Sequence, residues 1–295
     1  MGVQSALLDM ARFPAEWSLS VRVEDGGSSF QVALSDGEVV KDTDVSGVWW
    51  RRTRQYGVSE ALGNGDHRSF ALAECHALIE GWSQTLGRRM INPIGPETII
   101  DNKPYQLHVA AQLGMNPPRT MVTNSPGHAR RFWCEGERKT IAKQVASRGD
   151  APSPLTQLVE ENAVQQLPLL RAAGPCLLQE AIPLGTDIRV TVIDDELFAA
   201  EIRIEAAGSQ FDWRSDPRRR TLPHRLPGNV AASIRTFMRR TGLRYGAFDF
   251  RIDPDGVYRF LEVNVAGQYL WVEIETGQMI SRAIASALSH VPEVD

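Results

Sequence analysis

The chain has only three cysteines, Cys75, Cys134 and Cys176, an odd number with no CxxC pair and no Cys/His clustering. Neither a disulfide framework nor a zinc site is indicated, and the three read as small core residues. No apolar run approaches the roughly 20 residues that a membrane span needs. The N-terminal stretch MGVQSALLDMARFPAEW meets Asp9 and Arg12 before any apolar h-region develops, so no secretory signal is visible and a cytoplasmic location is the default expectation. Basic excess is lacking too. Lys and Arg number 32 against 36 Asp and Glu, a formal net charge of −4, whereas a nucleic-acid binder needs a basic footprint to neutralise phosphates. Neither nucleic acid nor membrane is therefore expected as a partner. There is no GxxxxGK[ST] and no GxGxxG, so P-loop handling of a nucleotide is excluded. Absence of internal repeats or low-complexity tracts sets solenoids aside.

What is present suits a globular enzyme. Hydrophobic residues make up 42% and charged residues 23% of 295 residues, enough chain for a large core and for two or three lobes around a cleft. Punctuation gives the boundaries. MINPIGPETIIDNKP carries three prolines and a glycine between a helix-like segment around Ser69 to Leu86 and another starting near Tyr105, which places a lobe boundary close to Asn102. Before it, Val45 to Trp50 reads as a buried strand, preceded by short strands and the turns EDGG and SDGE. After it, PYQLHVAAQLGM has helical spacing and ends at Gly114 as a glycine C-cap. TIAKQVA reads as a strand, AVQQLPLL as a broken helix, GPCLLQEAI as a strand, and ETGQMISRAIASALSHV as the closing helix. Alternation of strands and helices favours an α/β (α+β) class.

The strongest local feature is GAFDFRIDPDGVYRFLEVNV, a β-hairpin around the turn Asp253 to Gly256. With an even loop Asp249 falls on the face of Glu262 and Asn264; an odd loop with a glycine bulge puts them on opposite faces. Three oxygen donors on one face, without His or Cys, suit Mg²⁺, with Glu262 bridging two ions and Asp249 and Asn264 each holding one. The alternative is an alternating strand that shows polar residues to solvent. Against that alternative stand Phe260, Leu261 and Val263, an apolar density unusual for an exposed strand. Phosphates near such a metal need further cations, and Lys103, Lys143, Arg189 and Arg203 are the candidates. Lys143 lies mid-strand among apolar neighbours, where an ammonium is costly to bury without an anion. Arg189 and Arg203 alternate with apolar residues on long strands, so their heads are candidates to converge; each also fits a snorkelling surface residue. LLQEAIPLGTD offers backbone at Glu180 to Ile182 and the carboxylate of Asp187 for an adenine edge and ribose, or else an ordinary strand end. Arg51, Arg52 and Arg54, and Arg218 to Arg220 with Arg225, read either as solvated charge or as a docking face for an acidic peptide.

Taken in order, INP and DNK, QLGMNPPRT, AKQ, LLQEAI with TDIRV, AEIR, GAFDF and FLEVN resemble the ATP-grasp ligases, particularly the branch of ribosomal-protein glutamate ligases, from about Val45 to Leu288. Within it, GVWWRR, QFDWRSD and LEVNVAGQYLWVEIETGQMISRAIASAL resemble the microviridin-type, or graspetide, macrocyclases. The resemblance implies an ATP-grasp fold with a shortened N-terminal lobe over residues 1–101, a central lobe over 102–182 and a C-terminal lobe with the metal site over 183–295. It implies ATP and Mg²⁺, with Lys103 and Lys143 on the phosphates, Gln179, Glu180, Ala181 and Ile182 along the adenine hinge, and Asp187 on ribose or substrate. It also implies Asp249, Glu262 and Asn264 as metal ligands, and Arg189 and Arg203 at the γ-phosphate and acyl-phosphate. The activity implied is phosphorylation of Asp or Glu side chains in a ribosomal precursor peptide, with a leader and an acidic core, followed by ω-ester or ω-amide closure; a homodimer is implied as well. The chain departs from the pattern at its start, where a family strand and helix have no counterpart, and in the single glycine of ASRGDAPSP after Lys143. Two rival readings are a ligase adding an amino acid to a protein or small molecule, and a non-catalytic nucleotide- or peptide-binding subunit.

Overall fold

A computed structural model of the chain describes residues 4–145, 156–182, 185–204 and 218–290. The flap-like segment ASRGDAPSP and the motif QFDWRSD lie outside the described residues. Two compact units are formed, one from Met1–Pro96 with Ile284–Asp295 and the other from Glu97–Ala283. The expected lobe boundaries at residues 101 and 182 differ from this division, since the central and C-terminal segments up to Ala283 share one unit.

The first unit begins with β1 (Ser18–Glu24), β2 (Gly27–Ala33) and β3 (Val39–Lys41), an antiparallel meander. Alternation explains its inward face: Leu19, Phe30 and Val32 are buried while Ser18, Ser20, Ser29 and Gln31 between them are exposed. The EDGG turn is tight because Gly26 adopts φ +98°, a conformation that a Cβ disfavours. β4 is only Val48–Trp49, shorter than the expected strand, and pairs parallel with β5 (Met90–Ile91). Helix α1 (Asp66–Leu86) buries Ile79 and Trp82, and Trp82 meets Phe30 edge-on with ring centroids 5.4 Å apart.

The second unit follows within α2 (Ile94–Ile100) and continues through α3 (Lys103–Gln112), β6 (Thr120–Thr123), α4 (Pro126–Glu135), β7 (Thr140–Lys143), β8 (Gln157–Leu158), α5 (Glu161–Val164), α6 (Leu170–Ala173) and β9 (Cys176–Glu180). Asn102 caps α3 by accepting from the Tyr105 N–H, and Gly114 follows its end at φ +67°. One antiparallel sheet has the order β6-β9-β7-β8. The larger sheet, order β12-β11-β10-β13-β14, comprises β10 (Thr186–Ile193), β11 (Glu196–Arg203), β12 (Arg220–Pro223), β13 (Tyr245–Ile252) and β14 (Tyr258–Asn264). Between β12 and β13 runs α7 (Gly228–Thr241). The closing helix α9 (Ile280–Ser289) starts later than the expected ETGQ, because Glu275 and Thr276 end a separate short helix, α8 (Leu270–Thr276), which Gly277 caps in the left-handed region at φ +70°. Among the described strands only β4 and β5 pair in parallel, so the class is α+β; hairpin turns such as Asp194–Asp195 join neighbours where an α/β fold needs crossover helices.

The large sheet has two chemically opposite faces. Ile188, Val190, Phe248, Phe250, Phe260 and Val263 pack on Ile234, Phe237 and Met238 of α7 and Val109 of α3. The other face carries Asp187, Arg189, Asp249, Arg251, Glu262 and Asn264, by the alternation of the strands and their pairing. Five residues, Asp253 to Val257, separate the paired Ile252 and Tyr258, so the loop is odd. An unbroken ladder would then set Asp249 opposite Leu261. Instead the register shifts at Asp249/Phe250: Phe250 pairs with Phe260 and Asp249 with Glu262, leaving Leu261 as the extra residue of a bulge. The expectation that only an even loop gives a shared face is thus corrected, because the bulge restores what the odd loop removes.

Phe260, at 0% exposure, sits beside that bulge with ring centroids 5.8 Å from Phe250 and 6.1 Å from Phe237. Phe260→Ala is expected to destabilise the protein by about 3–5 kcal/mol. Urea unfolding measures it, and a loss below about 1 kcal/mol would contradict this packing.

Candidate functional site

Edge strand β14 is held by α3. Gln106, 2% exposed, accepts from the Val263 N–H at 3.0 Å and donates to the Val263 carbonyl at 2.9 Å, satisfying both backbone groups of that residue, and the Phe260 N–H donates to the Met115 carbonyl at 3.1 Å. This anchors the first turn of α3 next to Glu262, and Lys103 Nζ lies 3.8 Å from Glu262 Oε2. Lys103 also donates to the Gln144 carbonyl at 3.2 Å, just beyond β7. Sequence reasoning missed Gln106; a glutamine on a helix face with apolar neighbours was the available signal.

Lys143 comes from β7. Its Nζ donates to Gln179 Oε1 at 2.9 Å, and Gln179 Nε2 donates in turn to Thr120 Oγ1 at 2.9 Å, so the amide is fixed from both sides. Burial pushes the Lys143 ammonium below the ordinary lysine range; the Glu262 carboxylate opposes this, Lys103 and Arg251 add to it, and Asp249 opposes it. Glu262 links these groups, since it pairs with Asp249 across the ladder and lies 3.8 Å from Lys103, which itself bonds to the Gln144 carbonyl next to Lys143.

Arg189, 4% exposed, stands directly across the ladder from Asp249, and its Nη1 donates to both carboxylate oxygens at 2.9 Å. Its Nη2 donates to the Gln268 carbonyl at 3.1 Å, while Nε is buried without a hydrogen-bond partner among the described residues. Gly267 makes that arrangement possible, since a Cβ there would lie 2.7 Å from Arg189 Nη2 and 2.5 Å from the Ala247 side chain. Arg203 does not join it. Ala200 is the residue across from Arg189, and three further alternations put Arg203 on the other face, where it is 60% exposed and donates to Glu201 at 2.7 Å. Glu201 is followed on that face by His224 and Tyr258, which are bonded to each other at 2.7 Å. The expected convergence of Arg189 and Arg203 is corrected by this register.

Glu180 ends β9, and Ala181 and Ile182 follow it. The Glu180 N–H donates to the Arg119 carbonyl at 2.9 Å and the Ala181 N–H to the Lys139 carbonyl at 2.7 Å; for the Ile182 N–H no such bond is seen among the described residues. A polar cavity of about 380 Å³ lies beside this end, lined by Pro118, Arg119, Glu135, Arg138, Glu180 and Ile182 among others. Asp187, 3% exposed, differs from a ribose-facing carboxylate: both its oxygens accept from Arg251 at 2.7 Å. Of the basic clusters, Arg51 lies over the Trp49 ring at 5.0 Å, and Arg219 lies over Trp271 at 5.2 Å and pairs with Glu275 at 3.4 Å.

The metal question turns on donor chemistry. Asp249, Glu262 and Asn264 give two carboxylates and one amide on one face, and Asn264 Oδ1 also accepts from the Ala266 N–H at 3.1 Å. No group of three or more His, Cys, Asp or Glu that would cage an ion is found among the described residues. A sparse set of oxygens is what Mg²⁺ takes when waters and substrate phosphates complete its shell, so the residues fit that ion.

A family model described as the MvdD pre-ATP grasp domain matches residues 1–97. No curated protein matches the sequence. Among solved structures, the macrocyclase MdnC of Microcystis aeruginosa, bound with precursor peptide MdnA, is 30% identical, has a TM-score of 0.81, and is matched over 96% of this chain and 90% of its own. The chain belongs to the ATP-grasp macrocyclase family. A RiPP-associated ATP-grasp ligase from Chryseobacterium gregarium, in complex with ADP and a leader and core peptide, matches with 25% identity and a TM-score of 0.83 over 95% of this chain and 87% of its own. The ATP-grasp ligase PsnB, complexed with a phosphomimetic variant of its minimal precursor, Mg and ADP, matches with 25% identity and a TM-score of 0.74 over the same shares. The fold of this family member is therefore ATP-grasp, as the motif order implied.

The site makes an electrostatic prediction that needs no substrate. Lys143 Nζ, followed by NMR of labelled lysine, is expected to titrate below the ordinary lysine range, and lower still in Glu262→Gln, which removes the neighbouring negative charge. An ordinary titration, or an upward move in the variant, would contradict the placement.

Proposed function

We propose that this protein is an ATP-dependent carboxylate ligase that closes ω-ester or ω-amide bonds between side chains of a ribosomal precursor peptide. The observation that carries the reading is the convergence of Asp249, Glu262, Lys103 and Lys143, from three segments of the chain, in a protein matched almost end to end by a macrocyclase solved with its precursor peptide.

Under this reading Asp249, Glu262 and Asn264 would hold Mg²⁺, and the ion would supply positive charge against the phosphates. Lys103 and Lys143 supply fixed positive charge to the ATP phosphates, and the pairing of Lys143 with Gln179 keeps its ammonium oriented before substrate arrives. The adenine edge is taken by backbone at Glu180 to Ile182. Arg189, pinned between Asp249 and the Gln268 carbonyl, faces the γ-phosphate and the acyl-phosphate formed on an Asp or Glu side chain of the peptide. Attack by a hydroxyl or amine of the same peptide then expels phosphate. The protein's contribution is positioning and water exclusion, since an acyl-phosphate exposed to water hydrolyses. The three-lobe division, with a central lobe over 102–182, is retained as the functional partition, and we assign the enzyme to the cytoplasm and to a homodimer. Among the described residues no helix is long and apolar enough to cross a membrane.

ATP, Mg²⁺ and the cognate peptide are expected to give ADP, phosphate and a peptide lighter by one water per bond, read by mass spectrometry. Glu262→Gln should lower the rate by about 100-fold or more. A mass gain would favour the amino-acid-adding ligase, and ATP turnover that is absent in the unmodified protein would favour a binding subunit.

A further inference from the structure

Arg251 lies two residues beyond Asp249 on β13 and therefore on the same face of the sheet. Its guanidinium is buried, at 4% exposure, and engages three acceptors: Nε and Nη2 donate to Asp187 Oδ1 and Oδ2 at 2.7 Å each, and Nη1 donates to the Ile182 carbonyl at 3.1 Å. Asp187 and Arg251 already face each other across the β10–β13 ladder, so the side-chain pair adds little to that register. The third bond does something the ladder does not. It reaches out of the five-stranded sheet to the segment that ends β9 in the other sheet, which is the backbone assigned above to the adenine edge. The chain leaving that segment is also seated on the arginine, since a Cβ on Gly185 would come within 2.8 Å of Arg251 Cγ and 3.2 Å of Cδ.

We propose that Arg251 is a positioning residue for nucleotide recognition, fixing the Ile182 backbone relative to Asp249 and so setting the distance between the base-reading and phosphate-reading parts of the site. It rests on the reading of Glu180 to Ile182 as the adenine hinge. The chemistry requires a guanidinium: its planar fork satisfies both oxygens of Asp187 and still leaves a donor for the carbonyl, whereas a lysine ammonium at that depth keeps the charge without the fork. Arg251 touches neither base nor phosphate in this scheme; it acts through the backbone it holds.

The test is nucleotide binding to the full chain by calorimetry with Mg²⁺, using ATP, GTP and inorganic tripolyphosphate as three probes. Arg251→Lys keeps the charge opposite Asp187, and the double variant Asp187→Asn with Arg251→Met removes both members so that no buried charge is left uncompensated. In both, the affinity for ATP is expected to fall about tenfold, one charge-assisted hydrogen bond's worth, and the preference for ATP over GTP to shrink. Tripolyphosphate affinity should stay within about twofold of the unmodified protein, which a general loss of structure would not allow. Unchanged ATP affinity and base preference in a folded variant would overturn the proposal, and so would failure of both variants to fold, since the pair would then serve only the sheet. An unmodified protein that binds tripolyphosphate and no ATP would instead overturn the proposed function itself.

Discussion

One extra residue in β14 determines what this sheet can do. Leu261 sits in the bulge opposite the Asp249/Phe250 step, and by absorbing the odd count of the Asp253 to Val257 loop it sets Glu262 across from Asp249 while Phe260 stays across from Phe250. A single-residue slip in a strand moves every side chain to the opposite face. The bulge therefore lets one short strand give its aromatic residue to the α7 core and its carboxylate and amide to the other side. Arg189 answers Asp249 from β10, Gln106 holds the outer edge of β14, and Lys103 lies about one turn before Gln106 on α3. Displacing Glu262 to the core side would leave a buried carboxylate among Phe248, Phe250 and Phe260, which the apolar packing does not tolerate.

Charge is organised around the same strand. Lys143 is depressed by burial and sustained by Glu262, and Asp249 is gripped by Arg189, so these buried charges have partners before any nucleotide enters. Paired burial of this kind contributes little to stability and much to preorganisation. It also separates two arginines that look alike in sequence. Arg189 is fixed by two acceptors inside the face, whereas Arg203, three alternations out of phase with Ala200, lies on the far side among Glu201, His224 and Tyr258.

Much of this was legible from local pattern. The helix over Ser69 to Leu86, the helix near Tyr105 that ends at Gly114, the C-terminal hairpin and the carboxylate and amide residues of FLEVN all follow from periodicity and turn chemistry, and motif order carries the family. What was illegible is long-range. No periodicity announces that Leu261 is extra, because a bulge is defined only by its partner strand. Nor does it announce that Arg251 pairs with Asp187, 64 residues away, or that Gln106 closes an edge 157 residues on. α7, which packs on the apolar face of the large sheet, and α4 carry no decisive signal, because their starts, Pro227-Gly228 and Ser125-Pro126, read equally well as turns. Polar spacing around Glu275 to Gln278 does not mark where one helix ends and the next begins; φ +70° at Gly277 ends α8 there and α9 starts at Ile280.

The central claim is that the shared face of Asp249, Glu262 and Asn264 receives a divalent ion together with the nucleotide phosphates. Anomalous scattering from a crystal grown with ADP and Mn²⁺ tests it most directly. The expected result is a peak in contact with Glu262 and flanked by Asp249 and Asn264, with Lys103 and Lys143 on the phosphates. Peaks confined to another face of the sheet, or nucleotide bound with Glu262 outside coordinating reach, would contradict it.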